Sequence, residues 1–282
     1  MDEQNLDILE RIHGAYYQLT ATEKRVADYV LSQPAQVQYM SITQLADECG
    51  TAEATISRFC RSLKLKGFNA FKLELARHSA TSAPHAREHT GMAPGRLGQD
   101  VERLASEAVH QSIELMEPKQ VAKAVALIER AGRVLCVGSG GSMLIAQECA
   151  HLFSTVTGKF FAITDSHMQM SAAATLGSKD VVILYSYSGA TTTGIQMLEL
   201  AKSRGIATIL VTRYNKSPAA KLADVVLRCG SNESPFQFGS TPAKIAQLVV
   251  TDVVFQEYCQ RNREDCEENI QQIAAALSVL HM

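Results

Sequence analysis

Beyond residue 132 one pattern keeps returning: a short apolar run rich in β-branched residues, then a stretch with helical spacing. The runs are RVLCV at 133–137, FFAI at 160–163, VVILY at 181–185, IATILV at 206–211 and DVVLR at 224–228. Helical spacing fills the gaps, from Ser142 to about Thr157, near 167–175, at 191–204 and near 217–223. Two helices precede the first run, at about 100–116 and 118–131, divided at Pro118, and two close the chain, at about 241–261 and 264–280. Strands covered on both faces read as continuous apolar runs, and parallel neighbours need crossover helices. The expectation is an α/β unit with a parallel five-stranded sheet flanked by helices.

Residues 1–78 read as a separate, smaller, all-α unit. Thr22 can cap EKRVADYVLS, with Val26, Val30 and Leu31 on one face and Pro34 after its end. Ser41 can cap ITQLADEC, and Gly50 supplies a tight turn. A second short helix begins at Thr51 or Thr55 and runs through Ile56, Phe59 and Leu63 to Gly67; Phe68, Phe71, Leu73 and Leu75 then form another amphipathic run. In the stretch 79–99 Pro84, Gly91, Pro94, Gly95 and Gly98 interrupt helical spacing, which reads as a linker. The chain thus divides as 1–78, linker 79–99, and 100–282.

Charge in the small unit is lopsided. Arg58, Arg61, Lys64, Lys66, Lys72 and Arg77 face Glu74 alone between 58 and 77, whereas residues 1–57 hold three Lys/Arg against nine acids. A helix, a Gly-containing turn and a second helix over 41–63 make a helix-turn-helix pattern. Packing Ile42, Leu45, Ala46, Ile56 and Phe59 inward leaves Ala52, Glu53, Thr55, Ser57, Arg58 and Arg61 outward. Hydroxyls there can meet phosphates or base edges, and arginine can clasp guanine with two hydrogen bonds. A plain helical bundle with a solvated basic face fits the same pattern.

Two strand-to-helix junctions in the larger unit carry unusual chemistry. Val137-Gly138-Ser139-Gly140-Gly141-Ser142 follows the first strand, and Ser186, Ser188, Gly189, Thr191, Thr192 and Thr193 follow the third. Glycines let the main chain approach a ligand, and a helix N-terminus favours an anion. In an open α/β sheet ligands sit at the carboxyl ends of strands. One hydroxyl would suffice to cap each helix; the surplus suits a phosphate monoester.

Other chemistries find little support. Seven dispersed cysteines show no C-x-x-C spacing and read as reduced thiols. His85 and His89 stand at i, i+4 but in a segment without helical spacing, so no metal site and no cofactor are expected. No apolar run approaches the roughly 18 residues that span a bilayer. The acidic opening MDEQNLDILERI is unlike a signal peptide, so a cytoplasmic protein is expected.

The run TEKRVADYVLSQP followed by SITQLADECGTAEATISRFCRSLKLKGFNAFKLEL resembles the N-terminal domain of RpiR-type bacterial transcriptional regulators. The resemblance covers about residues 5–78 and implies that the turn residue Thr51 with Thr55, Ser57, Arg58 and Arg61 lies near double-stranded operator DNA, with Lys64 and Lys66 near its phosphates. VLCVGSGGSMLIAQE and VVILYSYSGATTTGIQMLELAKSRGIATILVT are similar to the two sugar-phosphate loops of the sugar isomerase (SIS) domain. That resemblance implies phosphate held by Ser186, Ser188, Gly189 and Thr191, and sugar hydroxyls or phosphate met by Gly138, Ser139, Gly140 and Ser142. Where such regulators often carry Ser-Arg, this chain has Ala243-Lys244; the lysine keeps the charge and loses the guanidinium fork. His167 and Glu233 are further candidates for the lining. The implied protein is a regulator sensing a phosphorylated sugar, a homodimer or homotetramer through the SIS domain, with no membrane partner and no catalytic residue. An aldose–ketose isomerase using Glu148, His151, His167 or Glu233 as its base, or a SIS scaffold with a protein-binding N-terminal unit, are the alternatives.

Overall fold

The computed structural model describes residues 7–82, 94–231 and 240–278. The chain divides into two compact units with the boundary between Arg103 and Leu104.

The first unit is all helical: α1 (Ile8–Ala15), α2 (Ala21–Ser32), α3 (Pro34–Val37), α4 (Ile42–Glu48), α5 (Glu53–Ser62) and α6 (Phe68–Ser82). Capping decides where two of them start. Ser41 accepts from the Gln44 amide while the Gln44 side chain accepts from the Ser41 amide. The cap of α2 is Thr20, not Thr22, because Glu23 completes the same reciprocal box with Thr20 and reaches its N–H at 3.0 Å. Neither Thr51 nor Thr55 caps α5; its N-cap is Ala52, with no side-chain bond. Pro34 opens the short α3 as well as following α2. Val26, Leu45, Ile56, Phe59, Phe71 and Leu75 are fully buried and bind the helices into one core. Gly50 turns the chain between α4 and α5 with φ +60°, a conformation glycine adopts without steric cost.

Helices α7 (Pro94–Leu115) and α8 (Pro118–Arg130) lead into the sheet. Helix occupies both ends of the expected linker 79–99: residues 79–82 continue α6, and 94–99 belong to α7. Proline's fixed φ suits the first helical turn, and the cost of Gly95 and Gly98, about 1 kcal/mol each, does not break α7. Pro84, Gly91, His85 and His89 lie outside the described residues.

The second unit is the expected parallel sheet. Strands β1 (Val134–Gly138), β2 (Phe160–Ala162), β3 (Val181–Tyr185), β4 (Ala207–Thr212) and β5 (Val225–Arg228) run in the order β2-β1-β3-β4-β5, all pairs parallel. Helices α9 (Gly141–Ser154), α10 (Ser166–Ala173), α11 (Thr192–Ser203), α12 (Thr241–Arg261) and α13 (Arg263–Leu277) complete it. The period-two geometry of a strand sorts the core into two layers. Cys136, Ile183, Tyr185, Ile209 and Leu227 pack with α8, α9 and α12; Leu135, Val182, Leu184 and Leu210 pack with α10 and α11. The helix expected near 217–223 is a series of turns: Ser217 N–H donates to Tyr214 O, and Leu222 N–H to Ala219 O. Among the described residues no helix is long and apolar enough to cross a membrane.

Candidate functional site

In an order β2-β1-β3, the turns after β1 and β3 lead to helices on opposite faces of the sheet, the topology that opens a crevice at the carboxyl ends of those two strands. The register pairs Gly138 with Tyr185, the last residues of the two strands. Both hydroxyl-bearing turns therefore emerge side by side. They touch: Ser139 Oγ lies 3.2 Å from Thr193 Oγ1. Thr193 was not among the expected site residues, although the run of three threonines held the signal.

The first turn is built by close main-chain approach. A Cβ on Gly138 would stand 2.7 Å from Ser142 O, so only glycine lets the chain fold back there. Gly140, at φ +56°, is the N-cap of α9, and no side chain caps that helix. The second turn is held from within. Gly189 N–H donates to Ser186 O at 3.0 Å, Ser188 Oγ accepts from the Ala190 amide at 3.3 Å, and Ser186 and Thr191 hydroxyls stand 3.4 Å apart. Thr191 is the N-cap of α11, yet no side chain bonds that helix's free N–H groups. Capping therefore does not account for the hydroxyls. Two helix N-termini with uncapped amides face one crevice, an electrostatic seat for an anion.

Two amides missed in sequence reasoning brace this crevice. Gln169, on α10, is buried and donates to Gly138 O at 3.1 Å and to Ile163 O at 2.8 Å. Gln247, on α12, is buried and donates to Ser142 Oγ at 3.4 Å. It belongs to the AKIAQL segment that drew attention to Lys244, half-buried three residues earlier and so on the same side of α12. Beneath them Tyr185 and Thr251 hydroxyls meet at 2.8 Å. Burial keeps the Tyr185 phenol well above its ordinary pKa, with the thiols of Cys149 and Cys136 close by, so it stays neutral.

The candidate bases are scattered. Glu148 and His151 are exposed on α9 and face one another at 3.6 Å; His167 is exposed at the start of α10; Glu233 lies outside the described residues. Among the described residues no three His, Cys, Asp or Glu side chains cluster as metal ligands would.

In the helical unit, α5 presents Arg58 and Arg61 to solvent, with Lys64 and Lys66 exposed just beyond its end and Ser57 half-buried. Thr55 does not point outward: it is 4% exposed on the side that packs Ile56 and Phe59. Its hydroxyl accepts from the Arg58 guanidinium at 3.0 Å, so it steadies an outward residue. Thr51 is half-buried, and its hydroxyl lies inside without a hydrogen-bond partner among the described residues. Glu53, expected outward, accepts from Thr43 Oγ1 at 2.8 Å and ties α5 to α4. Below α5, Glu23 accepts from Ser62 at 3.2 Å.

Residues 6–82 match the helix-turn-helix domain of the rpiR family, and residues 127–256 match the SIS domain. An uncharacterized HTH-type transcriptional regulator of Caldanaerobacter subterraneus is 31% identical over 97% of this chain and 98% of its own. The regulator YbbH of Bacillus subtilis is 27% identical over 96% and 97% of the two chains. Among solved structures, the Vibrio vulnificus NanR protein complexed with ManNAc-6P superposes with a TM-score of 0.88 at 25% identity, covering 97% of this chain and 98% of that one. A likeness in fold extends to the sugar isomerase domain of an RpiR transcription factor from Sphaerobacter thermophilus, with a TM-score of 0.56 at 24% identity over 64% and 99% of the chains. The chain belongs to the rpiR family: it is a transcriptional regulator, not an enzyme, with a helix-turn-helix domain followed by a SIS domain.

Proposed function

We propose that a phosphorylated sugar docks in the crevice between β1 and β3 and changes the affinity of paired helix-turn-helix units for operator DNA. The observation that carries this reading is the pair of adjacent turns with uncapped helix amides and surplus hydroxyls. Ser186, Ser188, Gly189 and Thr191 hold the phosphate; Gly138, Ser139, Gly140 and Ser142 meet the sugar or share the phosphate, and Lys244 adds the one cation of the set. That NanR, alike over nearly its whole length, was solved with ManNAc-6P supports the ligand class. Arg58, Arg61, Lys64 and Lys66 approach the major groove and flanking phosphates, with Ser57 beside them.

Two copies pair through the SIS domain. Exposed Leu104, Val109 and Ile113 on α7, and Ile270 and Leu277 on α13, supply apolar surface for that contact. A ligand that binds two arrangements of the pair unequally shifts their populations, and with them the spacing offered to two half-sites. The test is titration of the full chain with ManNAc-6P and other hexose phosphates, read by thermal shift and by DNA binding. The double substitution Ser186→Ala, Ser188→Ala should abolish the thermal shift and the DNA response while basal DNA binding persists. A response at unchanged ligand concentrations would overturn the site.

A further inference from the structure

The residue between the two site serines points away from the crevice. Tyr187 is 8% exposed; its phenol donates to Ser231 O, and its ring meets that of Tyr214 edge-on at 6.2 Å. Its carbonyl is held as well, accepting from Arg213 N–H and from Thr212 Oγ1, each at 3.0 Å. Arg213 Nε donates to the same Ser231 carbonyl at 3.1 Å. Both ends of Tyr187 are therefore fixed to the segment that follows β4 and β5.

That segment is gripped from its other side by α7. Gly230 N–H donates to Ser112 Oγ at 2.9 Å, and Ser112 in turn donates to Ala108 O at 2.7 Å. Ser112 is 0% exposed. A Cβ on Gly230 would overlap the backbone of Gln111 and Ser112, so strand end and helix are in direct main-chain contact. Close-packed contacts of this kind transmit displacement rather than absorb it. In sequence, α7 is the helix that leads back to the helix-turn-helix unit.

We infer that Tyr187 is the positioning residue of the hydroxyl-bearing turn and that, through Ser231, Gly230 and Ser112, it couples the occupancy of that turn to α7. The inference rests on the anion-binding reading of the turn only for what moves Tyr187; the latch itself is a property of the ligand-free chain. An anion drawn onto Ser186 and Ser188 shifts the residue between them. Its phenol carries the Ser231 carbonyl, and Gly230 cannot move without Ser112.

Amide hydrogen exchange on the full chain tests this, with Tyr187→Phe and Ser112→Ala, each of which removes one hydroxyl and keeps the fold's shape. Losing one buried hydrogen bond should speed local opening about fivefold. The expected result is crossed. Tyr187→Phe quickens exchange at 109–115, on the far side of Ser231 and Gly230, and Ser112→Ala quickens it at 186–191, while β2 and α10 are unchanged. Inorganic phosphate should slow both segments in the native chain, and only 186–191 in either variant. Effects confined to each variant's own surroundings would overturn the coupling, as would phosphate protecting 109–115 equally in the variants. If phosphate protects neither segment in the native chain, the anion site fails instead, and the crossed effects still decide whether the latch exists.

Discussion

Substitution Gly189→Ala tests how tightly the second turn is held. Gly189 has φ +60°, and a Cβ there would overlap the Ser217 side chain and stand 3.1 Å from Thr212 Oγ1. Left-handed backbone costs an alanine about 1–2 kcal/mol. Ser217 is 0% exposed, so it cannot swing into solvent; forcing an extra methyl into such a place costs about 1–3 kcal/mol. Together the α/β unit should lose about 2–5 kcal/mol. The two parts separate in a double-mutant cycle. In the Ser217→Gly background the overlap with Ser217 is gone and the backbone cost and the Thr212 contact remain, leaving a coupling of about 1–3 kcal/mol. The slowest amides of β3 and β4 report the opening of this unit alone, so exchange there measures each variant without interference from the helical unit. A loss below about 1 kcal/mol, or no coupling with Ser217, would refute the picture of a turn wedged against the segment that follows β4.

In the helical unit, Arg58→Ala should weaken binding to selected genomic fragments by about 1–3 kcal/mol and lower the slope of log affinity against log salt by about one. Sugar-phosphate binding should be untouched, and unchanged DNA affinity at every salt concentration would count against the placement of α5. Glu23 sets a pH dependence. Burial alone would raise its pKa, but hydrogen bonds from the Thr20 side chain and amide and from Ser62, with Arg58 nearby, hold its carboxyl below the ordinary 4.5. A depressed carboxylate stabilises the fold fully above its unfolded pKa and loses that contribution as pH falls through the folded value. Thermal unfolding of the helical unit should therefore decline below pH 4.5, and Glu23→Gln should flatten that limb; an identical acid limb in both proteins would contradict the assignment.

Most of the architecture was legible because its signals are local. β-branched runs separated by helical spacing specify parallel strands whatever the partner, and Ser41 with Gln44 specifies the start of α4 within four residues. Errors arose where two local signals compete. Thr22 and Thr20 both suit a cap, and only the reach of Glu23 selects Thr20. Gly95 and Gly98 weaken a helix without forbidding it, and α7 runs through them. Thr55 shows the limit of helical spacing as a guide to exposure. A residue beside two inward neighbours can fall on either side of the boundary, and here it is buried beneath Arg58.

The site was half legible for a different reason. Its glycines and hydroxyls are written in two short segments, but their meeting depends on strand order, which no local pattern encodes. Gly138 opposes Tyr185 only because β3 pairs with β1 on the side away from β2. The same long-range placement brings in Gln169 from α10 and Gln247 from α12, residues that a sequence presents as ordinary helix surface. Both are buried donors, and each bonds a group of the first turn, Gly138 O or Ser142 Oγ. A buried carboxamide is costly unless its hydrogen bonds are made, so each fixes one acceptable position for that turn. The two turns are thereby shaped by the fold itself, and a ligand of the proposed kind, meeting preset amides and hydroxyls, would lose little free energy to ordering them.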